Sequence, residues 1–199
     1  MGAVHRLYQR EGAGRPPRVR WALEEAGAPY EYVVMDKETG HGEEHARRHP
    51  LGRVPVLESD EGLLFESAAL CLHIADLHPD AELIPAIGTY ERAQVYQWAF
   101  FAMTELEPAM IRAAQTRRGN DADATSAAEE KLTKVFDVLG DALYGHEYVV
   151  GDRFTIADVV VGGVCESARK YEVLPDVPKV HDYLEQLDAR PAKQRAYDH

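Results

Sequence analysis

The spacing of apolar residues changes near residue 90, and that change limits the fold more than any single motif does. Before it, short apolar runs are broken at close intervals by glycine, proline or small polar residues. After it, apolar residues recur at helical spacing over long stretches. In the first part, Ala3–Tyr8 and the β-branched, aromatic stretch Tyr30–Met35 read as strands. Pro17–Ala26 sets Val19, Ala22 and Leu23 at helical spacing and stops at Gly27. Glu43–His49 is a weaker helical stretch ending before Pro50. Val54–Glu58 and Leu63–Phe65 flank Ser59-Asp60-Glu61-Gly62, whose turn chemistry predicts a hairpin. Ser67–Leu77 then predicts a helix closed by His78-Pro79. The order strand, helix, strand, helix, strand, strand, helix fits a short four-stranded mixed sheet with helices on both faces.

In the second part, Tyr90–Thr116 reads as one helical run that Pro108 should bend or break. Ala122–Tyr144 is a second, and further helices begin at Thr155 and near Pro178. Pro79, Pro85 and Gly88 mark the aperiodic stretch between the two textures. The expected division is an α/β domain over 1–79, a linker over 80–89 and an all-helical domain over 90–199.

Composition excludes several function classes. Among 199 residues, 22 Lys and Arg stand against 34 Asp and Glu, a formal charge of −12, which argues against a bulk nucleic-acid binder. No apolar run approaches the ~20 residues that span a bilayer. The first residues lack the apolar block of a signal peptide, so a cytoplasmic location is expected. The two cysteines, Cys71 and Cys165, are too few for a disulfide scaffold or a Cys-rich zinc site and sit among apolar neighbours, as buried cysteines do. Within residues 1–20, five arginines face one glutamate. With Arg47, Arg48 and Arg53 they form a basic island in an acidic chain.

Four local patterns stand out. Pro55 interrupts a strand-like run, so it belongs at an edge or a strand start. Glu66-Ser67 lies where a strand gives way to a helix; Ser67 is a good N-cap type, and free amides there favour a carboxylate. His41, His45 and His49 recur every fourth residue, but with Arg47 and Arg48 beside them the reading is a solvated helix face and no metal site. Thr155 and Asp158 form a capping box with Phe154 and Val159 as a hydrophobic staple, which serves folding.

Four strings resemble the glutathione S-transferase family: Arg18-Val-Arg-Trp-Ala-Leu-Glu-Glu-Ala-Gly27, Arg53-Val-Pro-Val-Leu57, Glu66-Ser67, and Gly151-Asp-Arg-Phe-Thr-Ile-Ala-Asp158. The resemblance covers nearly the whole chain. It implies a thioredoxin-like glutathione-binding domain followed by an all-helical domain, and a cis bond before Pro55. It also implies that an extended tripeptide pairs with Val54, that Ser67 and Glu66 take the γ-glutamyl carboxylate and ammonium, and that Arg53 or His41 takes the glycine carboxylate. Arg53 is the better choice, because a guanidinium stays charged and grips a carboxylate with two bonds.

The same resemblance exposes a gap. The family places a Tyr, Ser or Cys after the first strand to hold the glutathione sulfur as thiolate. Here the loop reads Tyr8-Gln-Arg-Glu-Gly-Ala-Gly-Arg-Pro-Pro17 and holds no serine or cysteine. Ala13 or Gly14 stands where those residues would be. The expected activators are the Gly14 and Arg15 amides with the Arg15 charge, and Tyr8 second. The family further implies a small electrophile in a cleft lined by Phe100, Met103, Thr104 and Met110, and a homodimer built on the third helix and the helix from Tyr90. The expected activity is glutathione conjugation. Alternatives are a non-catalytic ligand-capture protein and, lower, a glutathione-dependent isomerase or peroxidase.

Overall fold

A computed structural model describes residues 5–36, 38–119 and 121–198. Ala3 and Val4 of the expected first strand lie outside them. The chain forms two compact units, Met1–Ile84 with Pro191–His199, and Pro85–Arg190.

The first unit is built on four strands, β1 (His5–Arg10), β2 (Tyr30–Met35), β3 (Val56–Ser59) and β4 (Gly62–Phe65), in the spatial order β2-β1-β3-β4. β1 runs parallel to β2 and antiparallel to β3; the β3–β4 hairpin pairs Ser59 with Gly62. Its helices are α1 (Pro16–Glu25), α2 (Glu43–Arg48) and α3 (Ser67–Leu77). Side chains alternate across a strand, so Leu7 and Tyr8 face opposite sides. The Arg48 guanidinium lies 4.4 Å from the Tyr8 ring centroid, which puts α2 on the Tyr8 side. Leu7, Val19, Trp21, Leu23, Leu57, Leu70 and Ile74 are fully or almost fully buried and form the core of this unit. Cys71 is among them, and burial pushes its thiol up to about 12. α1 ends where expected: Gly27 has φ +61°, and the Ala28 amide returns to the Leu23 carbonyl at 3.0 Å.

The second unit contains α4 (Tyr90–Phe101), α5 (Glu107–Thr116), α6 (Ala122–Ala142), α7 (Ile156–Lys170) and α8 (Pro178–Asp188). Pro108 does not break the run that contains it. A π-helical turn, Ala102–Leu106, joins α4 to α5. Proline lacks the amide that would bond the Thr104 carbonyl and its ring crowds that carbonyl; a locally wider helix accommodates both. Asp158 is completely buried at the start of α7. Its carboxylate accepts from the Thr155 amide at 2.7 Å, the Val149 amide at 3.1 Å and the Tyr183 hydroxyl at 3.0 Å, so the capping box also ties in a distant helix.

The division of the chain differs from the expected 90–199 at its end. A last helix, α9 (Pro191–Tyr197), packs on α1 and belongs to the first unit. Lys193 is buried with its ammonium 5.6 Å from the Trp21 ring, and the Tyr197 ring meets Trp21 edge-on at 6.3 Å. Arg20 donates to the Ala196 and Asp198 carbonyls.

Candidate functional site

The α2–β3 connection is held from inside by two histidines. His45 is completely buried, and its Nε2 lies 2.9 Å from the Arg53 carbonyl oxygen. A carbonyl only accepts, so Nε2 carries the proton. His49 is also buried; its Nδ1 accepts the Leu51 amide at 3.0 Å, and its ring lies 4.7 Å from that of Phe65. Burial lowers both pKa values below the ordinary imidazole value. The expected solvated face is therefore corrected: of the three histidines, only His41 is exposed. Beyond this connection the Val54–Pro55 peptide bond is cis. The β1–β3 ladder begins at the Tyr8–Val56 pair, so Val54 lies outside it, with no backbone partner among the described residues. The exposed Arg53 side chain has no ion pair among the described residues.

Glu66 and Ser67 form the corner between β4 and α3. Ser67 is the first helical residue, and Glu66 occupies the cap position with φ +71° and ψ +104°. This corrects the expectation that Ser67 caps the helix. A non-glycine residue in so sparse a region costs about 1–3 kcal/mol and persists only where its surroundings impose it. The Ser67 side chain is buried, and its oxygen accepts from Nη1 of the fully buried Arg18 at 3.4 Å. The carbonyl of Glu66 already starts the helix, accepting from Leu70 at 2.9 Å. The Glu66 carboxylate is exposed.

The loop after β1 reaches the same region: Ala13 packs against Tyr8, Met35, Val54 and Val56. Arg15 is the cap residue of α1, and Pro16 and Pro17 fill its first two positions. A helix start normally offers four free amides, and two prolines remove two of them. Arg15 and Arg18, not being prolines, keep their backbone N–H groups. Tyr8 is otherwise engaged. Its hydroxyl donates to Glu58 Oε2 at 2.5 Å, and burial, then this bond, raise its pKa above the usual phenol value.

Most of the expected basic island is dispersed among partners. Arg6 pairs with Glu31 at 2.8 Å, Arg20 holds Tyr30 and the α9 end, Arg47 lies 3.9 Å from Glu43, and Arg48 pairs with Glu44. Arg10 Nη1 lies 2.6 Å from His41 Nε2 and 3.4 Å from the Gly40 carbonyl. A guanidinium only donates, so in this contact His41 Nε2 is the acceptor. A Cβ at Gly40 would stand 2.5 Å from Arg10 Cδ, so a side chain there would force Arg10 to shift. His41 Nε2 is thus engaged with Arg10, whereas the Arg53 guanidinium is exposed and carries a fixed charge.

In the helical unit, Phe100 is 65% exposed and Thr104 is exposed, its hydroxyl donating back to the Phe100 carbonyl at 3.0 Å. Met103 is partly buried. Met110 is 2% exposed and packs in the core of that unit, which corrects its assignment to a pocket wall. Sequence reasoning gave no role to Glu58 and Arg18, whose partners Tyr8 and Ser67 lie 50 and 49 residues away, and it read His45 as solvated although its partner Arg53 is only 8 residues on.

The model of the family "Glutathione S-transferase, N-terminal domain" matches residues 3–76, and that of "Glutathione S-transferase, C-terminal domain" matches residues 93–191. The rice (Oryza sativa subsp. japonica) protein named "Probable glutathione S-transferase GSTF2" is 32% identical over 186 residues, 87% of this chain and 86% of that protein. A sphingomonad glutathione S-transferase solved in complex with glutathione superposes with a TM-score of 0.82 at 28% identity, covering 96% of each chain. Elongation factor 1-gamma of Artemia salina is 34% identical over 128 residues, 62% of this chain but only 29% of that protein. The chain belongs to the glutathione S-transferase family.

Proposed function

We propose that the protein is a glutathione transferase that joins the thiolate of bound glutathione to a small electrophile. The observation that carries this reading is the Glu66–Ser67 corner, a strained residue ahead of a buried serine at a helix start. Ser67 and the local amides take the γ-glutamyl carboxylate, and Glu66 takes the ammonium. The tripeptide backbone pairs with Val54 before Pro55 as an added strand, and Arg53 takes the glycine carboxylate. The sulfur then lies toward Gly14 and Arg15, whose amides and positive charge favour thiolate over thiol. The thiolate forms a carbon–sulfur bond to the electrophile; the leaving group departs with its electron pair, and the thiol proton passes to solvent. Phe100, Met103 and Thr104 are the residues proposed to meet the electrophile. Glutathione is a co-substrate, no metal takes part, and the protein acts in the cytoplasm as a homodimer through α3 and α4.

A second reading is favoured by the loop after β1: it lacks Ser and Cys, the Tyr8 hydroxyl is held by Glu58, and two prolines thin the amides of α1. In that reading the chain binds glutathione without conjugating it, as a ligand-capture or partner-binding member. Calorimetric titration with reduced glutathione, followed by a conjugation assay with 1-chloro-2,4-dinitrobenzene, separates the two. Binding with turnover supports the transferase, and binding without turnover on a panel of electrophiles supports capture. No heat and no thermal shift at millimolar glutathione overturn both.

A further inference from the structure

We propose that His45 is a positioning residue for the glutathione site, whose buried Nε2–H fixes the peptide plane carrying the Val54 amide. The ligand in this inference rests on the glutathione reading; the device itself rests on the geometry of the free protein.

The carbonyl of Arg53 and the amide of Val54 belong to one rigid peptide unit. In a trans unit the N–H points opposite to the C=O, so a bond that anchors the oxygen also aims the amide. His45 supplies that anchor at 2.9 Å from a position with no solvent exposure. Within that peptide plane no other hydrogen bond is found among the described residues. His49, one turn later, holds the Leu51 amide, so the connection is pinned at two points by the end of one short helix.

The opposite ring nitrogen sharpens the argument. His45 Nδ1 is buried and has no hydrogen-bond partner among the described residues. Leaving a buried polar atom without a partner carries a desolvation cost that leucine or phenylalanine would avoid if the site only needed filling. What the imidazole supplies beyond volume is the donor at Nε2. Burial first, then the nearby Arg10, Arg48 and His49, disfavour a proton on Nδ1 and lower the His45 pKa below the ordinary imidazole value. The Nε2–H donor is present in the protonated ring as well as in this tautomer of the neutral one.

The test compares His45→Leu, His45→Gln and His45→Asn in the full chain. Readouts are the nitrogen-15 order parameters of the Arg53 and Val54 amides without ligand, glutathione affinity, and the split between KM and kcat. Glutamine presents an amide N–H near the Nε2 place; asparagine falls a bond short. In His45→Leu the Val54 order parameter should fall from about 0.85 to below about 0.6. Glutathione KM should rise about tenfold, the equivalent of one hydrogen bond, with kcat kept. His45→Gln should restore both. Should the leucine variant not fold, the glutamine and asparagine variants must differ in the same sense. Unchanged Val54 order, or glutamine behaving as leucine or asparagine does, overturns the proposal. So does a loss of melting temperature with glutathione affinity intact. If the wild type binds no glutathione, the proposed function fails, and the Val54 order parameter alone decides the role of His45.

Discussion

The Tyr8 hydroxyl donates to the Glu58 carboxylate at 2.5 Å across the β1–β3 ladder, with the Arg48 guanidinium over the phenol ring. A phenol has one proton to donate, and here a carboxylate takes it. Burial and this bond both raise the Tyr8 pKa, the opposite of what would make its hydroxyl a strong donor to a sulfur. Tyr8→Phe should therefore leave the pH profile of conjugation unchanged while lowering stability by about 1–2 kcal/mol, since Glu58 loses its partner. Steady-state rates against pH and urea denaturation check both halves. A shift of the acidic limb in the phenylalanine variant would return Tyr8 to the chemistry.

Asp158 gives stability a pH dependence of definite sign. Burial pushes its carboxyl up to about 6, although the Thr155 and Val149 amides and the Tyr183 hydroxyl all favour the charged form. A carboxyl whose folded pKa exceeds its unfolded value of about 4 favours the fold at low pH. That contribution is lost as pH rises through about 6. Relative to Asp158→Asn, which does not titrate, the wild type should lose unfolding free energy across this window and then level off. Asp158→Ala should cost about 2–4 kcal/mol at neutral pH, because the cap goes and buried donors are left unmade. A flat difference between wild type and Asp158→Asn would sink the pH argument without touching the cap.

The elements that local sequence revealed are those whose causes are local. The β3–β4 hairpin follows from Ser59-Asp-Glu-Gly62, the end of α1 from Gly27, and the start of α7 from the Thr155–Asp158 spacing. The candidate site was legible as strings, Val54-Pro55 and Glu66-Ser67, but its supports were not. His45 and His49 count as polar in any periodicity, yet each buries because a single backbone group meets one ring nitrogen. The arginines form a cluster in sequence, but their partners, such as Glu31 for Arg6 and Ser67 for Arg18, lie 25 and 49 residues away. At Pro108, a breaker was legible and the π-helical turn that absorbs it was not.

α9 is short and mostly polar, so nothing in its pattern assigns it to the sheet-bearing unit. Its tertiary contacts do. Truncation after Arg190 removes the Lys193 ammonium and the Tyr197 ring from Trp21, which is fully buried in the intact chain. It also removes the 2.6 Å Arg195–Glu24 pair. An exposed ion pair contributes little to stability, whereas uncovering part of a buried indole costs about 1–3 kcal/mol, so the aromatic contact should dominate. The truncated chain should melt earlier, with tryptophan emission shifted to the red. Arg195→Ala should do almost nothing. Equal effects from the two changes would mean that charge holds α9 in place.

Glu66 offers a way to separate strain from ligand chemistry. Its φ of +71° lies where glycine is at ease and an L side chain is not. Glu66→Gly should thus stabilise the free protein, by about 1 kcal/mol once the gain is set against the greater freedom of glycine in the unfolded chain. The same change removes the carboxylate proposed to meet the glutathione ammonium, so affinity should fall while stability rises. Glu66→Gln keeps the strain and a hydrogen-bond acceptor but not the charge, and should lose less affinity with no gain in stability. Thermal melts and glutathione titrations of the three proteins decide the matter. If glycine neither stabilises nor weakens binding, the corner is ordinary backbone. If it stabilises and binding is untouched, the strain is real and the ammonium is held elsewhere.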